Sequence, residues 1–449
     1  MADKILKVGF GRVNVNPPMG IDIAGYFKVR KAEAILDDLE INAVAVNLGE
    51  KTVLMMTIDH CGVDKVLFDK FKANIVDRTG VPAEAIYLHS THTHTGPKTP
   101  SKNPDELQLK YIEFLNDRFA DAAMFAIADL KPAKMGYGVG EAKNIAFIRR
   151  YRMKDGTTKT NPGVNNPDIV EPIGKLDESV NVVRFDREDG ETVVIVNFAD
   201  HPDVVGGCKI SADWPGFTRR FVEKSIDNTK CIFFNGAQGD VNHVNVHPTA
   251  GDFNDMFNDF DGCSRGYGHA RHMGRVVAGA VMSVYDKVNY VDVDDIKYSY
   301  TIVDIPANKA DPKDLPLAHK YNDLHNAGKD DEIPFKAMML TTVVAEAGRM
   351  VRLENAPDYF KLPFGAVAIG KVVFFGIPGE PFNAIGRGVK KAEGWDLIIP
   401  SCNVNGSEGY FPMKDSYDEG GYEARSSNFK AGTAEKIIEE GLKIIEKLK

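Results

Sequence analysis

Short apolar runs alternate with stretches of helical periodicity along this chain. Alternating or continuous apolar residues predict strands over 5–15, 40–47, 52–58, 134–140, 180–185, 192–198, 230–234 and 296–305. Apolar residues at helical spacing predict helices over 65–78, 105–130, 216–226, 269–284, 337–353 and 434–448. The mixture predicts an α/β fold in which helices flank a mixed sheet.

Two polar regions interrupt this pattern. Residues 144–172 are predicted to form a long loop or hairpin, and the lysine-rich stretch 306–335 is predicted to be an insertion or a lid. Neither region has the composition of a linker, and the sequence contains no internal repeat. We therefore expect a single large domain over residues 1–449.

Five apolar runs end abruptly in polar residues, glycine or proline. These runs lie at 85–88, 193–198, 231–234, 372–377 and 397–400. In α/β proteins, ligands bind beyond the carboxyl ends of such buried strands. We therefore expect a site at one edge of one sheet, which brings together His92, His94, His201, Asp240, Glu380 and Tyr410.

The densest part of this set is the histidine cluster at 89–94. His92 and His94 are two residues apart, so on an extended backbone they face the same side, whereas His89 faces the other. Two histidines and a carboxylate with one open position suit a catalytic zinc ion, and the chemistry expected is hydrolysis of an amide or related acyl bond. The alternative is a polar strand end whose histidines only form hydrogen bonds.

Composition narrows the class of protein. The 449 residues are 43% hydrophobic with a formal net charge of -9, which argues against a broad nucleic-acid surface or attraction to an anionic membrane. The five cysteines are scattered without a Cys-x-x-Cys pair, which is typical of free thiols in a reducing compartment. Residues 1–7 lack the apolar core of a signal peptide, and no apolar run is long enough to span a membrane. We expect a cytoplasmic enzyme, and the sequence leaves its oligomeric state open, a homo-oligomer included.

Several short motifs resemble those of the neutral/alkaline, non-lysosomal ceramidase family. THTHTGP at 91–97 is similar to the family signature THTHSGP, and NFADHP at 197–202 to its second histidine motif. Further resemblances follow in the family's order and span almost the whole chain: SADWPG at 211–216, GDV at 239–241, PGE at 378–380, and tyrosines at 410, 417 and 422.

The resemblance implies a zinc-dependent amidase with one zinc ion per chain. It implies that the metal ligands are His92, His201, Glu380 and Tyr410. It further implies His94 as general base or acid, and Tyr422 with Arg149 as the groups that stabilise the oxyanion, Arg150 being the alternative to Arg149.

Two departures from the family bear on the substrate. Asn242 stands where the family has a serine, and His243 follows it instead of proline. An amide can hydrogen-bond a substrate but cannot act as a nucleophile, so Asn242 is predicted to bind substrate. Asp240, two residues before it, is also predicted to bind substrate. His243 and His247 could add polar contacts to the substrate, but both are predicted to lie at the surface. The family's immunoglobulin-like C-terminal domain and secretion signal are not expected here. We therefore expect a smaller, more polar amide than ceramide.

Two other functions stay open at this stage. The same metal site could cleave an ester, a lactone or a cyclic amide. A metal-bound but inactive binding protein is the third interpretation, which the loss of the serine at Asn242 favours and the retention of the other site residues opposes.

Overall fold

A computed structural model describes residues 5–258 and 262–449, apart from the side chain of Asn258. The strands are β1 (Leu6–Asn14), β2 (Asp22–Ile23), β3 (Arg30–Lys31), β4 (Ala34–Ile35), β5 (Glu40–Leu48), β6 (Lys51–Ile58), β7 (Ile86–Ser90), β8 (Lys131–Glu141), β9 (Phe147–Ile148), β10 (Arg150–Met153), β11 (Thr158–Thr160), β12 (Ile169–Pro172), β13 (Ser179–Arg187), β14 (Thr192–Phe198), β15 (Lys209–Ile210), β16 (Thr229–Asn235), β17 (Val241–Asn242), β18 (Asn289–Val291), β19 (Ile296–Pro306), β20 (Tyr359–Ile369), β21 (Val372–Gly376), β22 (Glu380–Pro381), β23 (Leu397–Ser401) and β24 (Tyr410–Phe411).

The α-helices are α1 (Lys65–Thr79), α2 (Glu106–Ala128), α3 (Asp213–Ser225), α4 (Asp255–Asn258), α5 (Tyr267–Tyr285), α6 (Leu315–Asn326), α7 (Ala337–Leu353), α8 (Asn383–Val389), α9 (Asp415–Glu419), α10 (Tyr422–Ser426) and α11 (Thr433–Glu446). None of the helices in the described ranges has a stretch both long and apolar enough to cross a bilayer.

A nine-stranded mixed sheet is the centre of the fold. Its strand order is β16-β14-β13-β8-β1-β5-β6-β7, and β18 pairs with β8 at the side of this path. The pairs β6–β7 and β14–β16 are parallel, whereas β1–β5 and β13–β14 are antiparallel. The prediction of a mixed sheet flanked by helices in a single domain is therefore confirmed.

A second, four-stranded sheet packs on the first, which corrects the expectation of one sheet. Its strand order is β19-β20-β21-β23, and β21 pairs with β23 in parallel. The ring centroids of Phe234 in β16 and Phe374 in β21 lie 6.2 Å apart across the interface. Strands buried on both faces have the same continuous apolar pattern in either sheet, so the sequence could not distinguish them.

Helices cover the two outer faces, giving four layers. On the large sheet, α2 crosses β1 so closely that a Cβ added to Gly9 would lie 1.9 Å from the Ala126 carbonyl oxygen. α3 packs against β16, and α5 against β8 and β13. α8 and α11 cover the outer face of the small sheet with an apolar cluster that includes Phe375 and Ile437.

The predicted helices and strands are present, but the 11-residue strand β20 was not predicted, and three further differences concern α3, the region 144–172 and the segment 306–335. α3 begins at Asp213 rather than at residue 216, because Pro215 is tolerated in a first helical turn. The polar region 144–172 contains a small sheet of order β11-β10-β12. The segment 306–335 contains α6, which the polar composition did not indicate.

Candidate metal centre

The histidine pair lies just after β7, at the edge where the two sheets meet. The Nε2 atoms of His92 and His94 are 3.3 Å apart, so both rings face one point as the spacing predicted. The backbone is not extended there, because His92 has a φ of 78° and turns the chain. His89 points the other way, and its Nε2 accepts a hydrogen bond from the Asn235 backbone N–H at 3.0 Å.

Two other strand ends complete the centre. His201 follows β14, and Glu380 follows β21 as the first residue of the short strand β22. The Oε2 atom of Glu380 lies 3.0 Å from His201 Nε2 and 3.2 Å from His92 Nε2. The ligand atoms of His92, His201 and Glu380 all lie within 4.8 Å of one another, and the three residues are buried.

Hydrogen bonds on the outer side of each ring determine which nitrogen faces the centre. His201 Nδ1 lies 2.9 Å from the carbonyl oxygens of both Gln238 and Val241, and His92 Nδ1 contacts the Cys61 carbonyl oxygen. A carbonyl oxygen only accepts, so both Nδ1 atoms carry a proton. The Nε2 atoms of both rings therefore face the Glu380 carboxylate. Burial lowers the pKa of His92, but Glu380 outweighs burial and holds that pKa well above its usual value, so without a metal His92 Nε2 carries a proton toward the carboxylate while the neutral His201 presents a lone pair.

Two imidazole nitrogens that face one carboxylate oxygen need a positive charge between them. A proton can serve one pair, whereas a metal ion serves all three atoms at once. Two imidazole nitrogens and a carboxylate oxygen are a donor set that zinc accepts, and carbonyl acceptors behind the rings are the usual outer shell of such ligands. The residues therefore fit a zinc ion.

Asn403 adds to this outer shell. Its Nδ2 lies 3.1 Å from His92 Nδ1, while its buried Oδ1 has no hydrogen-bond partner among the described residues. A half-turn of this amide would bring Oδ1 to the protonated Nδ1, so that an acceptor and not a second donor faces it.

Electrostatics within the centre also favour a cation. Burial raises the pKa of Glu380, but His92 and His201 outweigh burial and hold that pKa well below its usual value. Burial lowers the pKa of His94 to about 3, and burial with the Arg149 charge lowers the pKa of His201 to about 4. At neutral pH the carboxylate is therefore charged while these two rings are neutral.

An arginine and two tyrosines form the next wall of the site. Arg149 donates from Nε to Glu423 Oε1 at 2.6 Å and from a terminal nitrogen to the Gly239 carbonyl oxygen at 2.8 Å. Its guanidinium carbon lies 5.3 Å from the ring centroid of Tyr410, and the Tyr410 and Tyr422 centroids are 5.7 Å apart.

The neighbouring Arg150 points away from the centre. It donates to Ser416 Oγ at 2.9 Å and to Glu419 Oε2 at 3.0 Å. Of the two arginines that the sequence left open, Arg149 is the one beside the metal-ligand candidates.

A cavity of about 430 Å³, which we call the first chamber, opens beside these residues. Its lining includes His94, Arg149, Asn242, Tyr410 and Tyr422. The Asn242 side chain is held by two hydrogen bonds, donating to Asn161 Oδ1 at 3.0 Å and accepting from the Val244 N–H at 3.1 Å.

Asp240 lies behind the site, outside the described lining of the first chamber. Its Oδ1 accepts a hydrogen bond from the Asn383 N–H at 2.6 Å, and its carbonyl oxygen accepts one from the Arg149 N–H at 2.9 Å. These contacts position the backbone that carries Arg149. The predicted contact of Asp240 with substrate stays a prediction.

Sequence reasoning missed the loop between β2 and β3. Tyr26 donates a hydrogen bond to Asp203, whose Oδ1 lies 3.6 Å from His94 Nδ1. Tyr26 and Asp203 both line the first chamber. The position of Asp203 two residues after His201 was an available signal, whereas nothing in the local pattern marked Tyr26.

The opposite wall of the first chamber comes from the polar segment and the helix after it. His325 at the end of α6 and the nearby Asp330 line the chamber together with Met338 and Val344 of α7. His325 Nδ1 lies 2.7 Å from Asp330 Oδ1. The segment predicted as an insertion or lid is thus in contact with the site, and its movement as a lid stays a prediction.

One surface prediction is wrong. His243 is buried, and neither ring nitrogen has a partner among the described residues, whereas His247 is exposed as expected. His243 directly follows β17, whose two buried residues pair with β9. The chain is therefore held in the interior at this point. The five cysteines are free thiols, as predicted.

Two solved structures share this fold over nearly the whole chain. A neutral ceramidase from Pseudomonas aeruginosa aligns with a TM-score of 0.74 at 18% identity, covering 99% of this chain and 74% of that one. A ceramidase complexed with C2 aligns with a TM-score of 0.72 at 16% identity, covering 99% and 75%. No protein-family model matches the chain, and comparison with curated proteins finds no sequence match. The expected ceramidase-like fold is confirmed.

Proposed function

We propose that this protein is a zinc-dependent amidohydrolase, in which His92, His201 and Glu380 hold the metal and Tyr410 completes its coordination. The observation that carries the proposal is the convergence of the His92 and His201 Nε2 atoms on a buried carboxylate, with both Nδ1 atoms facing carbonyl oxygens. When bound, zinc supplies Lewis-acid activation of an amide carbonyl and of the attacking water. The ceramidase-like fold supports an amide as the bond that is cleaved.

His94 is the proton carrier in this proposal. Its ring is neutral at physiological pH, so Nε2 can take a proton from the attacking water and return it to the leaving amine. Asp203 lies 3.6 Å from the other nitrogen and stabilises the imidazolium that forms in between. His94 lines the first chamber, so the substrate can reach it.

Arg149 and Tyr422 stabilise the negative charge that develops on the amide oxygen. The Arg149 charge is fixed in place by Glu423 and by the Gly239 carbonyl oxygen. Burial raises the pKa of Tyr422, so its phenol keeps a proton that it can donate to that oxygen.

The substrate we propose is an amide smaller and more polar than ceramide. Asn242 provides an amide where the family motif has a serine, and it lines a chamber that also presents Lys28, Asp203 and Asp330. The same wall also contains Phe27, Met338, Leu340 and Val344, so it suits a substrate with polar groups near the scissile bond beside an apolar part.

The test begins with elemental analysis of protein purified without chelator, and about one zinc per chain is expected. Hydrolysis of short polar N-acyl amides, their matched esters and ceramide is then measured before chelation, after chelation and after zinc is restored. Cleavage of the polar amides that is lost and recovered with zinc supports the proposal. Metal-independent cleavage, or a folded protein that binds no zinc, overturns it.

A further inference from the structure

A second cavity joins the first chamber on the side away from the metal-ligand candidates. It has a volume of about 290 Å³, and we call it the second chamber. The two chambers share Thr160, Asn161, Met338 and Tyr422 in their walls. A substrate that places its amide beside His94 can therefore extend past Tyr422 into the second chamber.

Three basic residues, Lys159, Lys336 and Arg425, contribute to the wall of the second chamber, and its described lining contains no acidic residue. Lys159 and Lys336 are both exposed. Arg425 is compensated by Glu346, to which its Nε donates at 2.9 Å. Among residues 5–258 and 262–449, the ammonium groups of Lys159 and Lys336 form no ion pair. This concentration of positive charge is local, since the chain as a whole carries a formal net charge of -9.

One further feature of the wall adds to the positive charge. The first turn of α7, a helix of 17 residues, lines the chamber, and its N-cap residue Lys336 provides no side-chain cap. The backbone N–H groups of such a first turn are donors that an anion accepts.

We infer that the second chamber binds an anionic group, a carboxylate or a phosphate, at the end of the amide substrate away from the scissile bond. The inference rests on the proposed amidase function and specifies its substrate class. The positive charges of Lys159 and Lys336 would favour an anionic group. Tyr422 lines both chambers, so the anionic group would bind on one side of it and the scissile amide on the other.

The test uses a series of short amides in matched pairs. One set has the acyl chain ending in a carboxylate, a phosphate or a neutral hydroxymethyl group, and the other has the same three endings on the amine. We expect a higher kcat/KM for the anionic members, and the preferred anion identifies the source of the charge. The variant K159Q/K336Q should lower kcat/KM for the anionic members about five- to tenfold through KM. It should leave the neutral members unchanged.

The matched control is K134Q/K287Q, which removes the same charge from two exposed lysines outside the described linings of both chambers. Equal hydrolysis of anionic and neutral members, or an equal effect of the control variant, overturns the inference. If no amide is cleaved, the proposed function fails, and calorimetric binding of glutarate and of phosphate tests the chamber by itself. Binding that is weakened in K159Q/K336Q supports the inference, and no binding overturns it.

Discussion

Glu423 accepts a hydrogen bond from Arg149 Nε at 2.6 Å, and both side chains are almost completely buried, at 0% and 8% exposure. The second Glu423 oxygen accepts a hydrogen bond from Thr160 Oγ1 at 2.8 Å. The carboxylate thus joins the arginine beside the candidate metal centre to the end of β11. It determines where the positive charge of Arg149 lies.

Replacing Glu423 with alanine should leave the Arg149 charge buried without its carboxylate. We expect a loss of about 3–5 kcal/mol in the free energy of unfolding, measured by urea denaturation. Activity should fall through kcat, because the oxyanion loses an oriented charge. The control Glu439→Gln breaks the exposed ion pair with Lys443 and should have little effect on either quantity. An unchanged free energy of unfolding in E423A would show that the pair does not stabilise the fold.

The substitution Glu380→Gln should remove zinc while the fold remains. An amide has nearly the same shape as the carboxylate but no charge, so we expect zinc affinity to fall at least about 100-fold. Zinc content by elemental analysis and the circular dichroism spectrum measure the two effects. Glu408→Gln, at a partly buried glutamate outside the centre, is the matched control. Normal zinc content in E380Q would make the ligand assignment wrong.

The substitution His94→Gln should have the opposite signature. Zinc content should stay normal, while kcat falls about 100- to 10,000-fold because the proton carrier is lost. His247→Gln provides the control, since His247 is exposed and lies outside the described linings of both chambers. Loss of zinc from H94Q would instead identify His94 as a ligand.

Stability of the metal-free protein should decrease in acid because of His89. Burial lowers the pKa of His89 to about 3, and its Nε2 accepts the Asn235 N–H, so protonation would break that hydrogen bond. In the unfolded chain the pKa is about 6.5, and between that value and about 3 the unfolded state binds more protons. Each such histidine therefore costs about 1.4 kcal/mol of stability per unit of falling pH in this window.

Urea denaturation across that pH range tests the prediction. The variant His89→Gln keeps an acceptor but does not titrate, so the slope of stability against pH should decrease by about 1.4 kcal/mol per unit. The exposed His247, replaced by glutamine, is the control and should leave the slope unchanged. Equal slopes in the wild type and H89Q would refute the assigned contribution.

Local patterns predicted most of the long elements and much of the candidate site, but not α6 or β20. The strand ends at His92, His201 and Glu380 were predicted because buried strands leave their polar residues at the carboxyl end. The second sheet could not be predicted, because doubly covered strands have the same apolar pattern in either sheet. Tyr26 and the inward turn of His243 depend on contacts between distant loops, which no local periodicity records.

Because the two sheets supply different residues of the proposed ligand set, metal binding would be coupled to assembly of the whole core. His92 and His201 follow strands of the large sheet, and Glu380 follows a strand of the small one. Neither sheet alone supplies all three residues, so an ion bound to all three would link the two sheets. Zinc would then raise the thermal midpoint by mass action, and chelation would weaken the docking of the two sheets before it disturbs either one internally.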